Sequence, residues 1–289
     1  MKEPMKQYEV LQRASLFLEQ HNRETNVAAL LLQHYLHVSR SEFFMKMRDP
    51  VPDAVVQQFQ DAVKAHAETG VPIQHIIGHE IFYGRTFHVN EHVLIPRPET
   101  EELVHHVIKQ VKHDNQPLTI VDIGTGSGII ACTLALELKN CTVYATDISE
   151  KALTVAKNNA NQLGANVTFL QGDFLQPLID KQIKADIVIS NPPYIPRSEE
   201  STLSDTVKLY DPELALFAEE NGLAAYREII TKLPHTITDH AYAAFEIGYQ
   251  QGASVTAFLE NQFPESTVNV IQDINGKDRI VAAEISINS

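Results

Sequence analysis

Leu118-Thr-Ile-Val-Asp-Ile123 is a run of strand-forming residues that ends in Gly124-Thr125-Gly126-Ser127-Gly128 and passes directly into the apolar stretch Ile129 to Leu138. A buried strand, a glycine turn and a buried helix in that order form the first unit of an α/β sheet, since an apolar strand and an apolar helix must cover each other. Glycines let backbone approach a ligand closely, and free N–H groups at a helix start favour a carboxylate or phosphate. The loop alone does not say which ligand. Gly126-x-Gly128-x-x-Ala131 also satisfies the fingerprint of dinucleotide-binding enzymes.

The next strand ends carry further polar groups. Cys141 to Thr146 predicts a second strand ending in Asp147, whose carboxylate at a strand tip suits the two hydroxyls of a ribose. Val167 to Leu170 predicts a third, followed by Gly172-Asp173-Phe174, an acid and a ring placed to hydrogen-bond and stack an adenine. Ala185 to Ser190 predicts a fourth, which runs into Asn191-Pro192-Pro193-Tyr194. Beyond it lie a loop at Tyr210-Asp-Pro-Glu213, a helix over 222–233, a strand over 241–247, a helix over 253–263 and a closing antiparallel hairpin about Asn275-Gly276.

Asn191-Pro192-Pro193-Tyr194 suits a planar NH2 group. Each proline lacks an N–H and biases the preceding residue toward extended geometry, leaving carbonyls as aimed acceptors. Asn191 adds a side-chain carbonyl and Tyr194 a flat face. A planar amine or amide can donate its two hydrogens to Asn191 and to the Pro192 carbonyl. Groups for an amino-acid tail, a ribose, an adenine and an NH2 acceptor thus follow one another, and S-adenosylmethionine is the cofactor whose parts fit that order. The predicted cofactor contacts are Gly124, Thr125, Gly126, Ser127, Gly128, Asp147, Asp173, Phe174 and Asn191. Those for the substrate are Asn191, Pro192, Pro193 and Tyr194, with Asn191, Pro192 and Tyr194 as the catalytic set.

Several segments together carry a family resemblance: Ile77-Gly78, Phe82 to Phe87, Val93-Leu-Ile-Pro-Arg-Pro-Glu-Thr-Glu101, Val121 to Gly128, Asn191 to Tyr194, Tyr210 to Leu216 and Asp278-Arg279. The chain resembles the class I methyltransferases, and within them the protein-(glutamine-N5) methyltransferases of peptide chain release factors, the PrmC or HemK family. Asn-Pro-Pro-Tyr is shared with adenine-N6 methyltransferases, whereas the run Leu94 to Glu101 is more specific to the family. The resemblance implies a seven-stranded Rossmann-like sheet with a terminal antiparallel hairpin, plus a small N-terminal helical bundle that docks substrate. It also implies methyl transfer from S-adenosylmethionine to the glutamine of a release-factor Gly-Gly-Gln loop. Glutamine methylation of a ribosomal protein and adenine-N6 methylation are the alternatives.

The expected domains are a bundle over 1–75, a β-hairpin connector over 76–95 and a catalytic domain over 96–289. Within the bundle, Tyr8, Leu11, Leu16 and Leu18 predict a first helix and Val27 to Leu36 a second. Glu42 to Met47 after Ser41 predicts a third, and Pro52 to Glu68, stopped by Gly70, a fourth. Phe43, Phe44, Met45 and Met47 read as packing residues.

Net charge of −14 argues against a protein that grips phosphate backbones, so the expected partner is a protein rather than a nucleic acid. Two cysteines, Cys132 and Cys141, give no disulfide framework, and no stretch has the length of a membrane span, which predicts a cytoplasmic enzyme. His75/His79 and His88/His92 have a metal-like i, i+4 spacing but fall in strand-like sequence with no third ligand, so no metal is expected. Arg97, Glu99 and Thr100 have two readings: Pro98 with the following acids starts a helix, and the same turn could close over the cofactor.

Overall fold

The computed structural model describes residues 4–111 and 116–287. The chain divides into two compact units. One runs up to Gly78 and also takes in Ser204–Tyr210; the other holds His79–Leu203 and everything from Asp211 onward.

The first unit is helical: α1 (Gln7–Gln20), α2 (Asn26–Leu36), α3 (Arg40–Met45), α4 (Asp53–Thr69) and α5 (Ile73–Ile77). Val10, Ala14 and Leu18 of α1 recur every four residues and meet Leu31, Leu32, Phe43, Phe59 and Val63 in one core. Tyr8 and Leu16, read as part of the apolar face of α1, lie on its exposed side. The third helix starts earlier than expected, because its N-cap is Ser39, which forms a capping box with Glu42 three residues on. That start turns Phe43 inward and leaves Phe44 and Met45 exposed at 57% and 76%, so these two are not packing residues. Gly70 ends α4 and Gly78 ends α5, both in the left-handed conformation. Hairpin pairing is therefore confined to 79–88 within the 76–95 stretch.

In the second unit, β1 (His79–Phe82) and β2 (Arg85–His88) form that hairpin, with His79 opposite His88. Then follow α6 (Pro98–Val111), β3 (Leu118–Ile123), α7 (Ile129–Glu137), β4 (Cys141–Asp147), α8 (Glu150–Leu163), β5 (Val167–Gln171), α9 (Gln176–Lys181) and β6 (Ala185–Ser190). A short β7 (Ile195–Pro196) precedes α10 (Asp205–Tyr210), a member of the first unit, where the Tyr210 hydroxyl donates to the Thr69 carbonyl at 3.0 Å. The chain closes with α11 (Glu213–Leu216), β8 (Phe217–Ala218), α12 (Glu219–Gly222), α13 (Ala224–Lys232), β9 (Ile237–Glu246), α14 (Gly252–Gln262), β10 (Thr267–Gln272) and β11 (Asp278–Ser286).

Seven strands form one sheet in the order β10-β11-β9-β6-β3-β4-β5. All neighbours are parallel except β11, which runs against both β9 and β10. This is the class I methyltransferase sheet. Successive residues alternate between two cores: Val121, Ile123, Val188 and Phe245 face α13 and α14, while Ile120, Ile187, Ile189 and Ala244 face α6 and α7. Both faces are covered at the centre of the sheet, which is why β3 and β6 are mostly apolar and buried along most of their length. Cys132 and Cys141 are free thiols. No helix among the described residues is long and apolar enough to cross a membrane.

Candidate active site

Strand register builds the site. Chain order reverses at β3, which pairs with β4 on one side and β6 on the other, and ligands of open α/β sheets bind at such a switch point. Ile123 is level with Thr146 and with Ser190, and Ser190 is level with Phe245. The next residue on each strand is therefore Gly124, Asp147, Asn191 and Glu246, side by side along one rim. A cavity of about 350 Å³ opens there, within the size range of small-ligand sites.

Its wall contains Gly124, Thr125, Gly126, Ser127, Asp147, Asp173, Phe174, Asn191 and Pro193 from the predicted set. Gly126 has φ +54°, and a side chain there would point into open space, so its bare backbone faces a ligand without obstruction. Gly128, Pro192 and Tyr194 do not line the cavity. Gly128, at φ +82°, caps α7, and a Cβ on it would come within 3.1 Å of Ala156 Cβ; it lets α7 approach α8. Pro192 is buried, and Tyr194 turns its hydroxyl to Glu246 Oε1 at 3.5 Å while its ring packs on the core.

The glycine loop is held from beneath by Asp122. Its Oδ2 accepts from the Thr125 hydroxyl at 2.6 Å and from the Ala131 N–H at 3.1 Å, and full burial pushes its carboxyl up to about 7. Asp147 accepts the Gly126 N–H on Oδ2 at 2.9 Å and the Ser149 N–H on Oδ1 at 2.8 Å. Burial raises its pKa, against the pull of those backbone N–H groups. Each oxygen keeps a lone pair for a further donor. Asp173 is also raised, by desolvation first and then by the neighbouring Glu228, which lines the same cavity. Phe174 has φ +42°, an uncommon conformation for an aromatic residue, and stands in the wall.

Four contributions lie outside the predicted set. Asn159 on α8 accepts the His88 N–H at 2.8 Å and donates to the His88 and Ser127 carbonyls at 3.0 and 2.9 Å, tying the hairpin to the glycine loop. Thr100, in the first turn of α6, accepts from Asn191 Nδ2 at 3.1 Å and donates to Glu246 Oε2 at 2.7 Å. Arg97 pairs at 2.8 Å with Asp211, whose side chain is buried. Of these, only Arg97 and Thr100 stood in a recognisable motif; Asn159 sits in an unmarked amphipathic helix, and Glu246 ends an apolar strand. Among the described residues no cluster of three or more His, Cys, Asp or Glu is placed to hold a metal.

The residues present fit S-adenosylmethionine. An open glycine backbone, a carboxylate with spare lone pairs, an aromatic wall and an amide share one cavity.

Sequence comparison places this site in a family. Residues 9–78 match the PrmC N-terminal domain and residues 114–250 match a methyltransferase domain. The release factor glutamine methyltransferase of Bacillus anthracis is 47% identical over 283 residues, covering 97% of this chain and all of that protein. The enzyme of the same name from Bacillus subtilis (strain 168) is 45% identical over 284 residues, covering 97% of this chain and 98% of that protein. A solved structure, the hMettl16 catalytic domain in complex with MAT2A 3′UTR hairpin 1, shares the fold at a TM-score of 0.56 and 17% identity, covering 91% of each chain. The chain belongs to the family of release factor glutamine methyltransferases.

Proposed function

We propose that the chain transfers a methyl group from S-adenosylmethionine to the side-chain amide nitrogen of the glutamine in the Gly-Gly-Gln loop of a peptide chain release factor. The observation that carries the reading is that Asn191 opens on the same cavity as the Gly124–Gly126 backbone and Asp147. Bound there, S-adenosylmethionine supplies an electrophilic methyl on a sulfonium. Gly124 to Ser127 seat its amino-acid end, Asp147 its ribose, and Asp173 with Phe174 its adenine.

An amide nitrogen is a poor nucleophile because its lone pair is delocalised into the carbonyl. Asn191 Oδ1 in the cavity wall and the carbonyl of Pro192, the link between the wall residues Asn191 and Pro193, accept the two N–H hydrogens of the glutamine amide, which holds the nitrogen in one orientation and increases its electron density. Such orientation is worth on the order of 7–11 kcal/mol in favourable model systems. Neither the Asn191 amide oxygen nor a peptide carbonyl takes up a proton near neutral pH, so the proton shed by the product nitrogen passes to solvent. Pro193 forms the adjoining wall and Tyr194 stiffens the turn from behind.

The helical unit is the docking element for the protein substrate; the exposed Phe44 and Met45 on α3 support that role. A net charge of −14 favours a protein over a nucleic acid as the partner, and the reaction is assigned to the cytoplasm, where translation terminates. The test is labelled-methyl transfer with purified enzyme, offering release factors, ribosomal proteins and DNA in parallel. Label on a release factor that disappears when its Gly-Gly-Gln glutamine is replaced supports substrate and acceptor atom together. Label confined to ribosomal protein or DNA overturns the substrate.

A further inference from the structure

The amide of Asn191 has two ends of opposite hydrogen-bonding sense, and only the oxygen end can receive an NH2 guest. In the structure Asn191 Nδ2 donates to Thr100 Oγ1, and the Thr100 hydroxyl donates to Glu246 Oε2. A hydroxyl carries one hydrogen. While that hydrogen is committed to a carboxylate, Thr100 can only accept from its other neighbour, so Asn191 must present its NH2 to Thr100 and its Oδ1 away from it.

We propose that Glu246, acting through the Thr100 hydroxyl, is a positioning residue that fixes which end of the Asn191 amide faces the guest. The inference rests on the reading above that Asn191 accepts an N–H of the substrate glutamine. If Glu246 gains a proton it can donate to Thr100, whose hydrogen is then free to reach Asn191 Oδ1. The amide turns over, and its NH2 confronts the NH2 of the guest.

The surroundings of Glu246 suit this task better than a purely structural one. A fully buried carboxylate in an apolar strand end is costly, and a hydrophobic residue of similar size would stabilise the fold more cheaply. Arg279 on β11 lies near it but is bound to Asp273 at 3.3 Å and to the Ile247 carbonyl at 3.4 Å. Tyr194 offers its hydroxyl to Oε1, and Tyr226 on α13 donates to the backbone carbonyl of Glu246 at 2.7 Å. From the start of α6, Glu99 adds repulsion, while Arg97 is held by Asp211. Desolvation dominates and pushes Glu246 up to about 7, with the Thr100 hydrogen bond and Arg279 holding it down, so the relay titrates near neutrality.

The test is kcat for methyl transfer to a release factor between pH 6 and 8.5, at saturating S-adenosylmethionine so that titration of Asp122 at the glycine loop does not limit the rate. Wild type should gain rate with rising pH and level off once Glu246 is ionised. Thr100→Val should lower kcat roughly 10- to 100-fold with cofactor affinity by calorimetry unchanged, and Thr100→Ser, which keeps the hydroxyl, should restore it. Glu246→Gln should lose the acid limb, because an uncharged amide allows both orientations of the hydroxyl at every pH. Wild-type kcat in Thr100→Val, beside an inactive Asn191→Ala, overturns the relay and leaves the acceptor role of Asn191 standing. Full activity in Asn191→Ala removes that role and the inference with it. An acid limb that survives in Glu246→Gln, or a Thr100→Val loss that serine does not restore, also overturns the relay. If Thr100→Val fails to fold, the Thr100→Ser and Glu246→Gln profiles decide the matter.

Discussion

The two ends of the cavity are built differently. At the glycine-loop end the groups facing the ligand are backbone, supplied by residues within a few positions of one another. At the Asn191 end the side chain that faces the ligand is held by side chains from segments far apart in sequence, with Thr100 on α6 and Glu246 on β9 meeting Asn191 just past β6. Yet each end stands on one fully buried carboxylate, Asp122 or Glu246, pushed by desolvation to about 7. A backbone site keeps its shape when a neighbouring side chain changes, whereas a side-chain relay loses its function with any one member. The two ends should therefore fail in different ways.

The largest expected effect lies at the relay end. Asn191→Ala should lower kcat for methyl transfer about 100- to 1000-fold, the scale seen when one preorganised polar contact to a reacting group is removed, with a much smaller loss of cofactor affinity. A comparable loss of affinity by calorimetry would erase the distinction between the ends. Asp147→Ala should show the reverse pattern, with cofactor binding weakened roughly 10- to 100-fold and a smaller change in kcat at saturation. Unchanged affinity would contradict the ribose role.

Asn159→Ala probes whether the loop end is as independent of side chains as its ligand-facing groups suggest. Three hydrogen bonds join Asn159 to the hairpin and to Ser127, so the substitution should cost about 2–3 kcal/mol of stability, read by chemical denaturation. A loss below ~0.5 kcal/mol would mean that the hairpin does not brace the loop.

Both buried carboxylates also predict the pH dependence of stability. Their folded pKa values, about 7, lie above the ordinary values of 3.8 and 4.5, so the folded state binds the extra proton. Their stabilising contribution is complete below about pH 4 and is lost as pH rises through 7, at up to ~1.4 kcal/mol per pH unit for each group. The melting temperature should fall between pH 5 and 8, and Asp122→Asn or Glu246→Gln should each flatten that fall. A wild-type profile that rises over this range would show the carboxylates to be stabilised as anions. The smallest effect is expected of Gly128→Ala, which should cost about 1–2 kcal/mol through its positive φ and its approach to Ala156, with kcat retained.

What could be read from residues alone follows the same division. The strand and loop at 118–128, Asp147 after a strand, and Asn191-Pro-Pro-Tyr194 were legible because each depends on neighbours in sequence: an apolar run, a turn, a residue at its end. So were the central strands, since burial on both faces writes itself as short apolar runs, the closing hairpin about Asn275-Gly276, and the limits of α2, α4, α7, α13 and α14 to within two residues, whereas α5, α8 and α9 were not legible in this way. Capping was legible in principle at Ser39 and Glu42, but the adjacent Ser41 competed for the assignment, and the inward turn of Phe43 alone among its neighbours depends on where α3 begins.

Tertiary structure decided the rest. Gly128 serves helix packing, Tyr194 stands behind the wall, and Ser204–Tyr210 belongs to the helical unit, none of which leaves a periodic trace. Asn159, Thr100 and Glu246 are polar residues whose partners lie 71, 91 and 146 positions away. The hydrophobic pattern specifies which face of an element is buried. It does not specify which polar atom of one buried face meets which polar atom of another, because that choice is made by strand register and helix placement only after the chain has closed on itself.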